Sequence, residues 1–326
     1  MNQSPILSIK NLRVAFKSSM GLNEVLHGIS YDLYTDEILG IVGESGSGKS
    51  VASLAIMSLL PPKKSVVSSG EILFRNEDLL HYSQTKLEAL RGQKIAMIFQ
   101  EPMSALNPSM SCGEQVEEIL LQHTSLKKKE VKDEAMRLFD DVKIPNPTTT
   151  FDKYPHEISG GQQQRIMIAM AIACKPDVLI ADEPTTALDV TVQKDIIALL
   201  KSLQKKSEMS VIFISHDLAL VSEIADRILV MYKGEIVESG DTRSIFKTPK
   251  EDYTKALIGA RPTLRFRLKQ LPTISDFLSG TISSTLISKS TRTQKHNEIY
   301  SKAPLLEVIN LEKTYFSKAS FFGTRT

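Results

Sequence analysis

The chain has 326 residues, enough for about two domains of ordinary size. Its 40 Lys and Arg against 38 Asp and Glu leave a net charge of +2, which excludes a strongly basic nucleic-acid binder and an acidic tail. Hydrophobic residues at 41% suit a chain that buries a core, and two cysteines, Cys112 and Cys174, supply neither a disulfide framework nor a four-cysteine metal site.

The longest apolar stretches, Val51–Leu60 and Ile166–Cys174, fall short of the roughly 18 to 20 residues a membrane helix needs. The first ten residues lack the basic start and apolar core of a signal peptide. These features predict a cytosolic protein whose membrane role would need a separate membrane partner.

In chain order, residues 6–16 alternate apolar and polar, the pattern of a strand, and a second strand is expected over Val25–Leu33. Glu37–Val42 is short and nearly all apolar, as in a buried parallel strand. It leads into a Gly/Ser-rich turn and a helical pattern over Lys49–Leu60, stopped by Pro61 and Pro62. Lys94–Gln100, Val178–Ala181 and Met209–Ser215 are further buried strands. Helical patterns cover Gly113–Gln122, Lys128–Asp141, Gly160–Cys174 and Val192–Lys205. Strands alternating with helices indicate an α/β sheet flanked by helices, and residues 101–175 read as a helical lobe.

Composition changes after residue 260. Residues 261–302 carry eight Lys/Arg and two Asp/Glu, with many Ser and Thr and no periodicity, and residues 261–303 read as a flexible basic linker. The excess positive charge suits contact with acidic lipid or nucleic acid, or simple solvation. Residues 306–315 then repeat residues 7–16 at an offset of 299. Leu7, Asn11 and Leu12 recur as Leu306, Asn310 and Leu311; Ile9 and Phe16 become Val308 and Tyr315. Residues 304–326 therefore read as the opening strand of a second, truncated copy of a domain spanning 1–260.

Three segments carry chemistry. Gly43-Glu44-Ser45-Gly46-Ser47-Gly48-Lys49-Ser50 fits G-x-x-x-x-G-K-[ST]. Its glycines let backbone amides wrap a phosphate, and the following helix adds its positive N-terminus. Lys49 can reach the β- and γ-phosphates and the Ser50 hydroxyl can ligate Mg²⁺, so a phosphate-bearing ligand with Mg²⁺ is expected. Val178–Glu183 is an apolar strand ending in two carboxylates. Asp182 can hold Mg²⁺ through water, and Glu183 can polarise an attacking water as a general base. Ser159-Gly160-Gly161-Gln162 opens a helix; it offers amides to an anion, and equally it is an ordinary helix cap.

The order phosphate loop, Gln100, Ile158–Gln162, Asp182-Glu183, Ala187-Leu188-Asp189 and His216 resembles the ATPase domains of ABC transporters. The resemblance spans residues 6–260 and implies the ABC ATPase fold: a P-loop core sheet, an antiparallel β subdomain and a helical subdomain. It implies a composite site in which two domains, from a homodimer or a paralogous cassette, dimerise head to tail. Each ATP then lies between one phosphate loop and the other domain's Ser159–Gln162. By that resemblance Phe16 stacks on adenine, and Gln100 reaches the metal and the attacking water. Asp189 lies on the dimer contact, and His216 meets the γ-phosphate.

Phe99–Pro108, Ser215–Leu218, Ile224–Ile228, Met231–Glu238 and Tyr253–Leu257 look like the peptide and nickel importer branch. That branch implies two transmembrane permease subunits, a solute-binding protein, attachment to the cytoplasmic face of the inner membrane, and no nucleic-acid partner. Many relatives carry a cysteine cluster after the ATPase domain; this chain has none, so no iron–sulfur site is expected. The other reading is a soluble, non-transport ABC ATPase. Such proteins usually insert zinc modules or coiled coils, and none fits between residues 50 and 215.

Overall fold

The computed structural model describes residues 4–19, 21–101, 104–186, 188–260, 267–281 and 285–314, with the backbone alone at 102 and 103. Ala187 and Tyr315, singled out in the sequence, lie outside the described residues, as do 316–326.

Among the described residues ten strands form two sheets. The strands are β1 (Leu7–Ser18), β2 (Gly21–Leu33), β3 (Ile38–Val42), β4 (Ser65–Phe74), β5 (Glu77–Asp78), β6 (Ile95–Ile98), β7 (Val178–Asp182), β8 (Ser210–Ser215), β9 (Arg227–Tyr232) and β10 (Glu235–Asp241). An antiparallel sheet has the order β2-β1-β4-β5. The larger sheet has the order β10-β9-β3-β8-β7-β6, parallel except for the β9–β10 hairpin at its edge.

The helices are α1 (Lys49–Ile56), α2 (Gln84–Leu90), α3 (Pro102–Ala105), α4 (Cys112–His123), α5 (Lys128–Asp141), α6 (Pro147–Phe151) and α7 (Gly160–Ile172). They continue as α8 (Val190–Ser207), α9 (Leu218–Ile224), α10 (Thr242–Lys247), α11 (Asp252–Gly259), α12 (Ile274–Leu278) and α13 (Lys289–Tyr300). Helices α3 to α7 occupy the stretch expected to be helical. The mixed fold agrees with the expected class, an α/β core with an antiparallel sheet.

Strands β3, β7 and β8 at the centre of the large sheet are buried on both faces, which explains their continuous apolar runs. Alternate residues enter two separate cores. Leu39 and Ile41 of β3, Val178 and Ile180 of β7, and Ile212 and Ile214 of β8 join α1 and the antiparallel sheet. Ile38 and Val42, Leu179 and Ala181, and Val211 and Phe213 join the helical lobe, α8 and α9.

Residues 261–303, expected to be irregular, hold α12, α13 and a Leu268–Leu286 bridge among their described residues. Thr273 caps α12 and Ser288 caps α13 through side chains that accept from backbone amides, so short polar segments become helical without apolar periodicity. Helix α12 packs on α11: a Cβ on Gly259 would lie 2.5 Å from the Phe277 ring. Helix α13 buries no residue. Residues 304–314 enter no ladder, and Leu306, Val308 and Leu311 are exposed. Asn310 nevertheless adopts φ 51°, beside φ 52° at its counterpart Asn11.

Candidate functional site

The phosphate loop connects β3 to α1. Gly43 passes so close to β9 that a Cβ there would sit 2.2 Å from the Met231 carbonyl oxygen. Gly48 caps α1 with φ 101°, a conformation that favours glycine, and a Cβ there would meet the Leu26 side chain at 2.7 Å. The β9–β10 turn braces the loop from behind, with the Gly234 amide donating to the Ser47 carbonyl at 3.0 Å. Lys49 is buried, and its Nζ donates to the carbonyls of Gly43 at 2.8 Å and Glu44 at 2.9 Å. Burial lowers its pKa, against the pull of Glu183, Asp182 and Glu44.

Asp182 ends β7, and its parity in the strand sends its side chain to the α1 face. Burial raises its pKa, while a hydrogen bond from the Ser50 hydroxyl opposes the shift, the Glu183 charge adds to it and Lys49 opposes it. Its Oδ1 is buried without a hydrogen-bond partner. A buried orphan oxygen beside a hydroxyl fits a cation whose remaining ligands come from elsewhere. Among the described residues no group of three His, Cys, Asp or Glu side chains forms an all-protein metal cage.

Glu183 follows in a left-handed conformation, φ 47°, with its amide donating to the Ile214 carbonyl at 3.0 Å. Its Oε2 is the meeting point of three side chains: Gln100 Nε2 at 3.1 Å, Thr186 Oγ at 2.9 Å and His216 Nδ1 at 3.2 Å. Gln100 and His216 are exposed, so the cluster opens to solvent on the loop side. The arrangement can hold a triphosphate on the loop and orient a water from the Gln100–Glu183–His216 group.

The fold thus gathers Lys49, Ser50, Asp182, Glu183, Gln100 and His216 from four chain segments. Phe16, Ser159–Gln162 and Asp189 make no hydrogen bond to that group among the described residues. Phe16 is half-buried on β1, packed toward the core of the antiparallel sheet. Ser159 and Gln162 form a reciprocal cap at the head of α7: the Ser159 amide donates to Gln162 Oε1 at 2.9 Å, and the Gln162 amide to Ser159 Oγ at 3.4 Å. Asp189 caps α8 by accepting from the amides of Thr191 and Val192. The two caps adjoin, because a Cβ on Gly161 would lie 2.9 Å from Val192. Gly160 and Asp189 are exposed. Thr186 was given no role from sequence; the signal available was its place three residues after an acid at a strand tip.

The ABC transporter family model matches residues 26–186. The dipeptide transport ATP-binding protein DppD of Bacillus subtilis is 49% identical over 79% of this chain and 77% of its own length. The chain belongs to the ABC transporter ATP-binding family. The oligopeptide transport ATP-binding protein OppD of Bacillus subtilis is 48% identical over 79% of this chain and 72% of its length. The glutathione import ATP-binding protein GsiA of Escherichia coli O157:H7 is 47% identical, and the match spans only 42% of its length. Among solved structures, the dimeric ATP-binding cassette MJ0796, in a post-hydrolysis state with ADP and phosphate, aligns at TM-score 0.65. It is 27% identical over 73% of this chain and 99% of that one. This chain is an ABC-type ATPase.

Proposed function

We propose that this ATPase energises import of peptides or similar small solutes from the cytoplasmic face of the membrane, through two permease subunits fed by a solute-binding protein. The observation that carries its chemistry is the convergence of Gln100, Thr186 and His216 on Glu183 Oε2, next to the orphan Asp182 Oδ1 and Lys49. Lys49 and the amides of Ser45 to Ser50 bind the phosphates, with Gly43 and Glu44 forming the base of the loop. Ser50, Asp182 and Gln100 would hold Mg²⁺, which would supply positive charge to neutralise the phosphates. Glu183 takes a proton from the attacking water, with Gln100 and His216 orienting that water. Phe16 stacks on adenine. Ser159–Gln162 and Asp189 serve the ATP of an opposing domain.

Support for permease docking comes from a cavity of about 560 Å³ beside Gln100, lined by Met57, Leu59, Phe99, Ile119, Met167 and Met170 among others. Methionine-rich apolar surface adapts to a partner. Among the described residues no helix is long and apolar enough to cross a membrane. The chain captured from solubilised membranes should carry multi-span partners, and Phe99→Asp should release them while ATP binding persists. Recovery without membrane proteins would favour the soluble reading.

We further infer that residues 304–326 begin a second copy of the domain. Leu7, Ile9 and Leu12 are 0%, 1% and 0% exposed, whereas Leu306, Val308 and Leu311 are 81%, 62% and 81% exposed. Coding sequence beyond residue 326 that lacks a second G-x-x-x-x-G-K-[ST] would count against this.

A further inference from the structure

The Tyr253–Leu257 motif carries no role in the reaction as set out above, yet its tyrosine touches the phosphate loop. Tyr253 lies in the first turn of α11, only 4% exposed. Its hydroxyl accepts a hydrogen bond of 3.0 Å from the backbone amide of Glu44, 209 residues earlier in the chain. That amide belongs to the Gly43–Glu44 peptide, whose carbonyl accepts from Lys49 Nζ at 2.8 Å. One peptide unit is therefore held at both ends, by the catalytic-loop lysine on one side and by a C-terminal helix on the other.

The holder is itself fixed. The Tyr253 ring packs on Tyr232 of β9, with centroids 4.1 Å apart and planes tilted by 31°. The Glu238 carboxylate of β10 accepts from the amides of Lys250 and Glu251, at 2.8 and 3.2 Å, and so ties down the entry to α11. At the far end, Phe277 of α12 covers Gly259. Burial pushes the Tyr253 hydroxyl up to about 12, so it stays neutral, although the Glu44 amide pulls the other way.

We propose that Tyr253 is a positioning residue for nucleotide binding: its hydroxyl fixes the Gly43–Glu44 peptide and thereby the aim of the phosphate loop. The geometry gives the reason. ATP draws Lys49 toward its phosphates and competes with the Gly43 carbonyl for it. The Glu44 amide points to Tyr253 and does not enter that competition. The loop therefore keeps one fixed peptide while its lysine changes partners. The proposal rests on Gly43–Ser50 being the phosphate loop, and it makes α11, with α12 packed on it, part of the nucleotide site.

The test is Tyr253→Phe in the full chain, which keeps the ring and removes the hydroxyl. Equilibrium titration with a fluorescent ATP analogue and Mg²⁺ should give a Kd weakened by roughly two- to tenfold, the range of one lost hydrogen bond. KM for ATP should rise in parallel, with kcat within about twofold, as expected for lost uniform binding. Thermal unfolding without nucleotide should shift by no more than about 2 °C. Kd and KM at wild-type values overturn the proposal. So does a fall in the unfolding midpoint with Kd and KM unchanged, the mark of a purely structural role. Lys49→Ala, measured in parallel, tests the premise: wild-type affinity there removes the loop assignment, and the proposal with it.

Discussion

Replacing Glu183 by glutamine keeps the side-chain length and removes the charge and the basicity. The magnitude follows from what the carboxylate does in each step. In the resting site it accepts from Gln100, Thr186 and His216 on one oxygen, and a glutamine amide oxygen can still accept there. The fold should therefore weaken by only about 1 kcal/mol, the scale of an altered hydrogen-bond group. Lys49 and Ser50, which face the phosphates, are untouched, so ATP affinity should stay within about threefold of wild type, less than one hydrogen bond to a charged group contributes. Proton abstraction from water is lost, and a positioned base contributes roughly 10²- to 10⁴-fold. At about 1.4 kcal/mol per decade, the barrier should rise by about 3 to 5 kcal/mol. Phosphate release under single-turnover conditions measures the rate, and analogue titration measures the affinity. Because bound nucleotide stabilises the state that binds it, light scattering should show an ATP-dependent dimer, favoured by about 2.7 kcal/mol at a hundredfold excess over Kd. Wild-type phosphate release, or lost ATP binding in a folded variant, would refute the role given to Glu183.

Ser159→Arg should leave nucleotide binding to the monomer unchanged and stop hydrolysis, because the cap at the head of α7 makes no hydrogen bond to residues 43–50 among the described residues and is proposed to serve the ATP of an opposing domain. A mixture of this variant with Lys49→Ala should regain at most one intact site per dimer, read as partial ATPase recovery; full activity of Ser159→Arg alone contradicts the composite site. Gly40→Ala should destabilise the fold by about 1 to 3 kcal/mol in denaturant titration, since its Cβ would sit 2.2 Å from Val221 of α9.

The elements that sequence made legible are those buried on both faces or strongly amphipathic. Lys128–Asp141 appears as expected in α5, and Glu37–Val42 and Met209–Ser215 appear as β3 and β8 within a residue. Strand β4 escaped because Gly70 interrupts its alternation, and the reason for that glycine lies in β1: a Cβ there would be 2.6 Å from the Leu12 Cα. Strand β9 pairs with the distant β3, with Arg227 opposite Leu39, a partnership no local pattern encodes. The meeting of Lys49, Ser50, Asp182 and Glu183 was legible because the loop motif and the strand tip each have a local pattern. The braces behind them, Thr186, Gly234 and Tyr253, were not, since each acts through a backbone or hydroxyl contact made only after folding.

The division of the large sheet into two cores also sets which changes of length the chain tolerates. In β7, Val178 and Ile180 face α1 while Leu179 and Ala181 face the helical lobe, and Asp182 continues the first set. Removing one residue within Val178–Ala181 would exchange the two sets and turn the Asp182 carboxylate from the phosphate loop toward the lobe. A two-residue change would restore the parity but pull Glu183 back from its anchor on Ile214. Insertions and deletions are therefore confined to the loops around this strand. The pleat that buries the core also keeps the reading frame of the catalytic pair.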